Sequence, residues 1–363
     1  MNDRQGLAGE RRAEPDSAFV FEGNWREFLP IALTNLLLII VTLGIYRFWA
    51  KARERRYLWG RTRFIDETLE WTGTGKEMLI GFLLVILVVA PVFFGAQLLL
   101  QALAMRGQGD LALLIALGLY GGAFYMIGVA RFRALRYRLS RTYWHGIRGG
   151  SEDGGWGYGW TSLWKTIAGS MVFGLLVPWS MTELWNDRWN KMSFGQHEFS
   201  AGADTEGLFH RWLIVYLVPV GAIFVGLGLF GASSAFSDGP PGDGAAVAIS
   251  LFVLFIYLAF LLASLSYYAA FYRQVVNATG VAGVEFEFTA RTKDWLKLIL
   301  GNFGLVIVTL GVGLLFLGYR NWSFAVRHME AVGEINLDTL LQSPYAATGD
   351  AEGLADAFDI GAI

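Results

Sequence analysis

The residues best suited to chemistry in this chain are cations interleaved with aromatic rings, in two stretches that each follow an apolar segment. The stretches are YRFWAKARERRYLW at 46–59 and RFRALRYRLSRTYW at 131–144. Rings of this kind lie at headgroup depth in a membrane interface, where the cations attract anionic lipid. Arginine and aromatic rings also stack on nucleic-acid bases, but the adjacent apolar segments favour lipid as the partner. The candidate headgroup-binding residues are Arg47, Lys51, Arg53, Arg55, Arg56, Arg131, Arg133, Arg136 and Arg138.

A second candidate set is polar and lies inside apolar segments. It consists of Asn35 with Thr42 and Asn302 with Thr309, and the two residues of each pair are seven apart on one helix face. Such faces either form hydrogen bonds between helices or line a polar cavity, and transporters place such cavities beside broken helices. For the basic stretches too a plainer alternative exists, in which the cations only fix the orientation of the chain in the membrane.

Patterns for catalysis and metal binding are missing from the sequence. The chain has no Cys and four His, which do not recur with carboxylates at the spacing of metal ligands. The motif G-x-G-x-x-G at 226–231 lies inside an apolar segment with no strand before it, so it does not indicate a dinucleotide site. No G-x-S-x-G elbow is present. The sequence therefore favours a protein that is not an enzyme and that has no metal site and no cofactor.

The elements that carry the candidate residues belong in a membrane. Hydrophobic residues make up 54% of the 363 residues and charged residues only 17%, against about 25% charged in soluble domains. That composition excludes both a soluble globule and a disordered chain. Membrane spans need about 20 mostly apolar residues. Seven segments come near this length, at roughly 29–46, 78–105, 111–130, 161–184, 212–232, 245–272 and 296–319.

The positions of Lys and Arg discriminate between topologies, because basic residues concentrate on the cytoplasmic side. If all seven segments cross, the cations divide almost evenly between the two sides. If the first, fourth and seventh instead dip in and return, or lie partly in the interface, every cation except Arg106 falls on one side. We therefore predict four spans, three re-entrant or interfacial segments and a cytoplasmic N-terminus, with seven spans as the alternative.

The three segments that we expect to turn back resemble one another. The first contains NLLLIIVTLG at 35–44 and the seventh NFGLVIVTLG at 302–311, while the fourth has Val177-Pro178-Trp179 in place of Thr-Leu-Gly. Stretches that alternate apolar with polar residues lie between the units at 63–75, 193–204 and 283–291 and predict short β-like turns. The predicted fold is thus an all-α polytopic membrane protein built from a repeated unit, with short cytoplasmic β-like turns.

The same motifs carry a family resemblance. FEGNWREF at 21–28, NLLLIIVTLGIYRFWAKARERRYLWGRT at 35–62 and EWTGTGKEMLIGF at 70–82 resemble the YjgN family of bacterial inner-membrane proteins of unknown function. The resemblance implies a multi-pass inner-membrane protein and carries over no activity, substrate or catalytic residue. We expect a polar tail at 1–18, a membrane domain at 19–330 with units at about 19–131, 132–272 and 273–330, and a disordered acidic tail at 331–363.

Two functions stay open at this point. The first is a non-enzymatic protein that binds lipid headgroups or organises the membrane through its basic stretches. The second is a small-solute transporter or channel that lacks charges inside the membrane. The expected partners are anionic membrane lipids rather than nucleic acid, and the sequence allows a homo-oligomer.

Overall fold

The structure, a computed structural model, describes residues 17–236, 243–334 and 341–345. Its helices are α1 Trp25–Val41, α2 Arg47–Gly60, α3 Gly75–Met105, α4 Gly109–Arg141, α5 Trp156–Ser170, α6 Val177–Trp189, α7 Leu208–Phe236, α8 Asp243–Asn277, α9 Thr292–Val308 and α10 Leu317–Arg327. Its strands are β1 Phe19–Phe21, β2 Thr62–Phe64, β3 Glu67–Thr68, β4 Glu70–Trp71, β5 Thr142–Trp144, β6 Ile147–Gly150, β7 Ser193–Phe194, β8 His197–Ala201, β9 Thr279–Val281, β10 Val284–Phe288 and β11 Met329–Gly333.

Four helices in the described part of the chain are long and apolar enough to cross a membrane. They are α3, α4, and most of α7 and α8, in the ranges Gly75–Met105, Gly109–Arg141, Leu208–Gly228 and Val247–Asn277. Most of their large apolar side chains are exposed. Because exposed apolar patches of this size are rare on soluble proteins, the four predicted spans are confirmed as membrane-capable helices.

The other three apolar segments form shorter helical hairpins. In each hairpin the chain runs along one helix, turns, and returns along a second: α1 with α2, α5 with α6, and α9 with α10. One polar contact between residues 18 apart closes each of them. These contacts are Asn35 Oδ1 to Arg53 Nη1 at 3.2 Å, Lys165 Nζ to Glu183 Oε2 at 2.9 Å, and Asn302 Oδ1 to Arg320 Nε at 2.6 Å.

A threonine hydroxyl builds the turn in two of these hairpins. The Thr42 hydroxyl donates to the carbonyl of Leu38 and accepts from the N–H of Tyr46, and the Thr309 hydroxyl makes the equivalent pair of bonds. After each Thr, a leucine and then Gly44 or Gly311 adopt positive φ, at 94° and 95° for the glycines. Glycine reaches this backbone region without steric cost, which explains the Thr-Leu-Gly sequence.

The turn of the α5–α6 hairpin differs from its sequence interpretation. Positive φ occurs at Val172, Phe173 and Gly174, whereas Val177 and Pro178 begin α6. Proline fits there because the first turn of a helix leaves its N–H groups unpaired in any case. The expected equivalence of Val177-Pro178-Trp179 with Thr-Leu-Gly is therefore wrong by five residues, since Val172-Phe173-Gly174 holds that place.

In the part of the chain that the structure describes, paired strands flank each of the five helix pairs. Around the short hairpins Phe21 lies opposite Thr62, Gly150 opposite Ser193, and Phe288 opposite Met329; β4 with β5 and β8 with β9 flank the two pairs of spans in the same way. The two ends of each short hairpin thus lie side by side, which favours the prediction that these segments turn back over the seven-span alternative.

The strands form an antiparallel sheet that curls round on itself. Eight strands run in the order β11-β10-β9-β8-β7-β6-β5-β4, and β1-β2-β3 form a second sheet. The two sheets adjoin where β3 continues through Leu69 into β4, and at the other side the hydroxyl of Ser17, just before β1, donates to Glu330 of β11 at 2.9 Å. We call this arrangement the strand ring.

The expectation of an all-α fold with isolated β-like turns is therefore wrong in part. The protein is mostly helical, and the stretches at 63–75, 193–204 and 283–291 do contain strands. What the pattern missed is that strands of two to five residues, far apart in the sequence, join into two adjoining sheets. Strands this short are stable only when other elements hold them side by side.

Parts of the expected tails lie outside the described residues, namely 1–16, 335–340 and 346–363. The described end of the chain belongs to the fold, since β11 pairs with β10 along its whole length. Residues 341–345 lie against β6, where Arg148 Nη2 donates to the carbonyl of Tyr345 at 2.7 Å.

Candidate functional site

A cavity of about 390 Å³ lies inside the strand ring. Strands form its walls, and residues at the ring-facing ends of α2, α4, α6, α8 and α10 form its floor. This volume falls within the range of small-ligand sites. The lining includes Phe19, Trp59, Phe64, Leu135, Arg138, Trp144, Trp185, Arg188, Trp189, Phe194, Phe199, Val276, Val281, Val284, Phe286, Trp322 and Met329.

Tryptophan–threonine hydrogen bonds satisfy much of the polar lining. Trp59 Nε1 donates to Thr142 Oγ1 at 2.9 Å, Trp185 to Thr279 at 3.1 Å and Trp322 to Thr62 at 2.9 Å. Each hydroxyl also donates to the carbonyl four residues earlier, at the end of a helix. These bonds connect neighbouring helices and leave an apolar, aromatic surface facing the cavity.

Arg188 is the unusual group in this lining. Its side chain lies in the last turn of α6, and the residue is only 7% exposed. Its Nε has no hydrogen-bond partner among the described residues, and the guanidinium lies over the ring of Trp185 at 5.5 Å. The carboxylate next to it in sequence is taken, because Asp187 Oδ2 pairs with Lys165 Nζ at 2.5 Å.

The surroundings of Arg188 disfavour its charge. Burial lowers the pKa of the guanidinium below its usual range, the phenols of Tyr158 and Tyr272 oppose this shift, and the nearby cation of Arg131 adds to it. Burying an unpaired ion costs several kcal/mol, whereas a cation in the last turn of a helix recovers only about 0.3–1 kcal/mol from the helix dipole. The buried guanidinium therefore has no anionic partner among the described residues to offset this cost.

Three of the nine predicted headgroup cations are exposed: Arg47 and Arg56 on α2, and Arg131 on α4. Arg47 follows the turn of the first hairpin directly. Arg131 lies where α4 changes from apolar to basic sequence, which is the place where a span leaves the bilayer core. Exposure at these three positions is what the lipid-binding prediction requires, and lipid binding there stays a prediction.

The other six cations are less exposed, and each of them contacts the protein. Arg55 is buried under the ring of Trp71 at 4.9 Å, and Arg138 lines the cavity. The remaining contacts are Lys51 Nζ to Glu54 Oε2 at 3.9 Å, Arg53 to Asn35, Arg133 Nε to the Gly154 carbonyl at 3.0 Å, and Arg136 Nη1 to the Asp153 carbonyl at 2.6 Å. Lipid binding by these six stays a prediction.

The four polar residues expected to line a cavity are all engaged within their own hairpins. Asn35 Nδ2 donates to the Ala50 carbonyl at 3.3 Å, and Asn302 Nδ2 to Asn321 Oδ1 at 2.9 Å. Thr42 and Thr309 use their hydroxyls in the turns. None of the four lines the cavity of the strand ring. A polar solute path along them stays a prediction.

These hydrogen bonds lead to a test of the transporter hypothesis. We expect the double variant Asn35→Leu with Asn302→Leu to lose about 1 kcal/mol of stability for each broken contact and to leave solute flux into proteoliposomes unchanged. Thermal unfolding and flux would be measured on the same preparation. Thr34→Val, exposed on the same helix as Asn35, controls for the loss of a polar group. A change of flux in the double variant alone would support a transporter.

The sequence interpretation missed Arg188 and the cavity. The stretch Trp185, Arg188, Trp189 was visible as an aromatic-basic run, but a run does not reveal which of its cations is buried. The alternation in β10 was recognised but was interpreted only as a β-like turn; Val284, Phe286 and Phe288 are at least partly buried, and Glu285 and Glu287 are exposed. That alternation indicates a strand with one face on an apolar interior.

Comparison with known proteins identifies the family. The family described as "Bacterial protein of unknown function (DUF898)" matches residues 16–357. The chain belongs to this family. Among named relatives of this DUF898 protein, the inner membrane protein YjgN of Escherichia coli strain K12 is 26% identical over 160 residues, which are 44% of the chain and 37% of the relative. YjgN of Escherichia coli O157:H7 is 28% identical over 134 residues, 37% of the chain and 31% of the relative.

A third relative, YjgN of Salmonella typhimurium strain LT2, is 35% identical over 69 residues, 19% of the chain and 18% of the relative. The matches thus span between 18% and 37% of the length of these relatives. The predicted membership of the YjgN family is confirmed. No solved structure is significantly similar to this DUF898 protein.

Proposed function

We propose that this DUF898 protein organises the inner membrane by binding its lipids. The three short hairpins are re-entrant: their apolar tips enter the lipid layer, and exposed cations beside them contact anionic headgroups. The strand ring holds the hairpins and the four spans in one assembly on the cytoplasmic side. In this view the N-terminus is cytoplasmic, as the distribution of Lys and Arg favours.

The observation that carries the proposal is the exposure of the hairpin tips. Leu43 is 94% exposed, Phe173 is 86% exposed and Leu310 is 95% exposed, and all three have positive φ. Exposing a large apolar side chain to water leaves about 1.5–3 kcal/mol of burial energy unused. Positive φ in such residues costs about another 1–3 kcal/mol. Three tips that share this unfavourable arrangement are best explained by a lipid surface that covers them.

The equivalence of the hairpins supports a repeated unit. Each hairpin has a polar contact between residues 18 apart, and each has its exposed apolar tip residue eight positions after the first residue of that contact. The contact partners differ in chemistry, being Asn with Arg in two hairpins and Lys with Glu in the third. We infer that one ancestral hairpin was copied and that its geometry, more than its residue types, was kept.

The test measures the depth of each tip in the bilayer. Because the chain has no Cys, single cysteines at Leu43, Phe173 and Leu310 can each carry an environment-sensitive fluorophore in proteoliposomes. We expect lipids with a nitroxide on the acyl chain to quench all three labels strongly. An aqueous quencher such as iodide should have little effect on them.

Thr68→Cys provides the matched control, since Thr68 is exposed on the strand ring and far from the tips. Its label should respond in the opposite way, to iodide and not to the nitroxide lipids. Labels at the tips that behave like the label at Thr68 would show that the hairpins lie in water, and would reject the proposal.

The headgroup contact has its own expected result. Arg47→Gln should weaken the binding of anionic lipid to the detergent-solubilised protein about fivefold, because a cation near the headgroup contributes about 1 kcal/mol. The effect should shrink as salt is raised. Arg106→Gln is the control, because Arg106 is exposed in the short turn between α3 and α4, on the other side of the membrane. Equal effects of both changes would contradict a specific headgroup contact at Arg47.

A further inference from the structure

We infer that the cavity inside the strand ring binds an amphiphile with an apolar chain and one anionic end group, which pairs with Arg188. This inference goes beyond lipid contact at the hairpin tips and does not depend on it, because the cavity and the tips lie at different places in the fold. The end group is a carboxylate or a phosphate ester, two groups that an arginine recognises through the same pair of parallel hydrogen bonds.

The shape and lining of the cavity specify the apolar part of the ligand. Aromatic rings from three helices, including Trp59, Trp185 and Trp322, surround it, and their indole N–H groups are already bonded to threonines. The wall strands contribute Phe64, Phe199 and further apolar side chains. A polar ligand would find few hydrogen-bond partners on such a surface. A hydrocarbon chain has no hydrogen bonds to give up when it enters the cavity.

Arg188 specifies the anionic part. It lines the cavity, it is 7% exposed, and its Nε lacks a hydrogen-bond partner in the described part of the chain. No ion pair joins it to a carboxylate among those residues. The carboxylates of Asp187 and Glu183 on the same helix both pair with Lys165 instead. The ionisable groups that act on it are two phenols and a second cation, Arg131.

The helix ends at the cavity floor account for only part of this cation's stabilisation. Arg188 lies in the last turn of α6, whose carbonyl groups attract a cation. A helix end, however, presents only partial charges and leaves the in-plane N–H donors of a guanidinium incompletely used. An anion in the cavity satisfies the charge and the donors together, which no group in the described fold does.

Free inorganic phosphate is a poorer ligand than an amphiphile. It would gain the contact with Arg188 but would lie against aromatic rings that offer it no hydrogen bonds, and burying an ion without partners is unfavourable. A neutral chain would gain the apolar contacts and leave Arg188 unpaired. Only a molecule with both parts matches the whole cavity.

The experiment uses the full-length protein in nanodiscs and a long-chain fatty acid that carries a photoreactive diazirine. After irradiation, crosslinked peptides are located by mass spectrometry. We expect crosslinks in the cavity peptides that contain Trp185, Phe199 and Phe286. Arg188→Gln should reduce them at least about tenfold, and Arg188→Lys should restore part of the yield. Ala325→Phe, which places a ring in the cavity from α10, should abolish them with Arg188 intact.

Two further arms identify the ligand chemistry. The corresponding diazirine alcohol should crosslink in the cavity much more weakly than the acid, and millimolar inorganic phosphate should not compete with the acid. Near-ultraviolet circular dichroism of the tryptophans verifies that each variant is folded, and the Ala325→Phe result applies even if Arg188→Gln fails this check.

Crosslinks confined to lipid-facing positions of the spans, or cavity crosslinks equal for acid, alcohol and Arg188→Gln, would overturn the inference. Competition by phosphate would replace it with a free-anion site.

Discussion

Replacing Phe132 with alanine is expected to lower the free energy of unfolding by about 3–5 kcal/mol, because it removes a large ring from a fully packed core. Phe132 is 0% exposed and lies 5.4 Å from the ring of Tyr158, centroid to centroid. The chain turns over it at Gly155, whose φ is +81°, and a Cβ there would come within 2.7 Å of the Phe132 ring. The ring thus fixes the start of the α5–α6 hairpin against α4.

The same helix supplies a matched control. Phe124→Ala removes the same ring from α4 at a position that is 53% exposed, on the apolar surface that we expect to face lipid. Its effect on stability should be much smaller, because no protein cavity is left behind. Unfolding in mixed micelles of sodium dodecyl sulfate and a non-ionic detergent would give both free energies. Equal losses in the two variants would show that the α4–α5 contact is not part of the stable core.

Thr62→Val is the second change with a large expected effect, about 1–3 kcal/mol, because it leaves a buried donor and acceptor unpaired. Thr62 is 1% exposed; its hydroxyl donates to the Leu58 carbonyl and accepts from Trp322 Nε1. Trp322 in turn stacks on Trp59 with ring centroids 4.0 Å apart. This contact joins the last hairpin of the chain to the first.

A double-mutant cycle separates this contact from general damage to the fold. Thr62→Val, Trp322→Phe and the double variant should give losses that are not additive, since either single change already breaks the bond. Thr68→Val, at an exposed position in β3, should have little effect. Strict additivity in the cycle would show that the indole and the hydroxyl do not stabilise each other.

Much of the membrane part could be predicted from residue types alone. Long apolar runs require a bilayer, so the four spans follow from local composition. The positions of Lys and Arg favoured a return of the other three segments to the same side, which stays a prediction. The Thr-Leu-Gly motif marked two of the hairpin turns, because its chemistry is local: a hydroxyl that caps the turn and a glycine with positive φ.

The candidate sites were harder to predict, because burial is not a local property. Arg55 and Arg56 are neighbours in one basic run, yet Arg55 is buried under Trp71 and Arg56 is exposed. In the second basic stretch Arg131 is exposed, whereas Arg138 lines the cavity. Helix periodicity shows that such residues face different ways, but the identity of what each one faces depends on the packing of distant segments.

The sequence by itself determined that this chain carries four helices able to cross a membrane, because hydrophobicity acts residue by residue. Only the tertiary structure decided that its shortest strands join into a ring and that Arg188 is buried beside an apolar cavity. The physical reason is cooperativity. Strands of two to five residues and an unpaired guanidinium are unfavourable alone, and they persist here because ten helices hold them in the positions that the described fold shows.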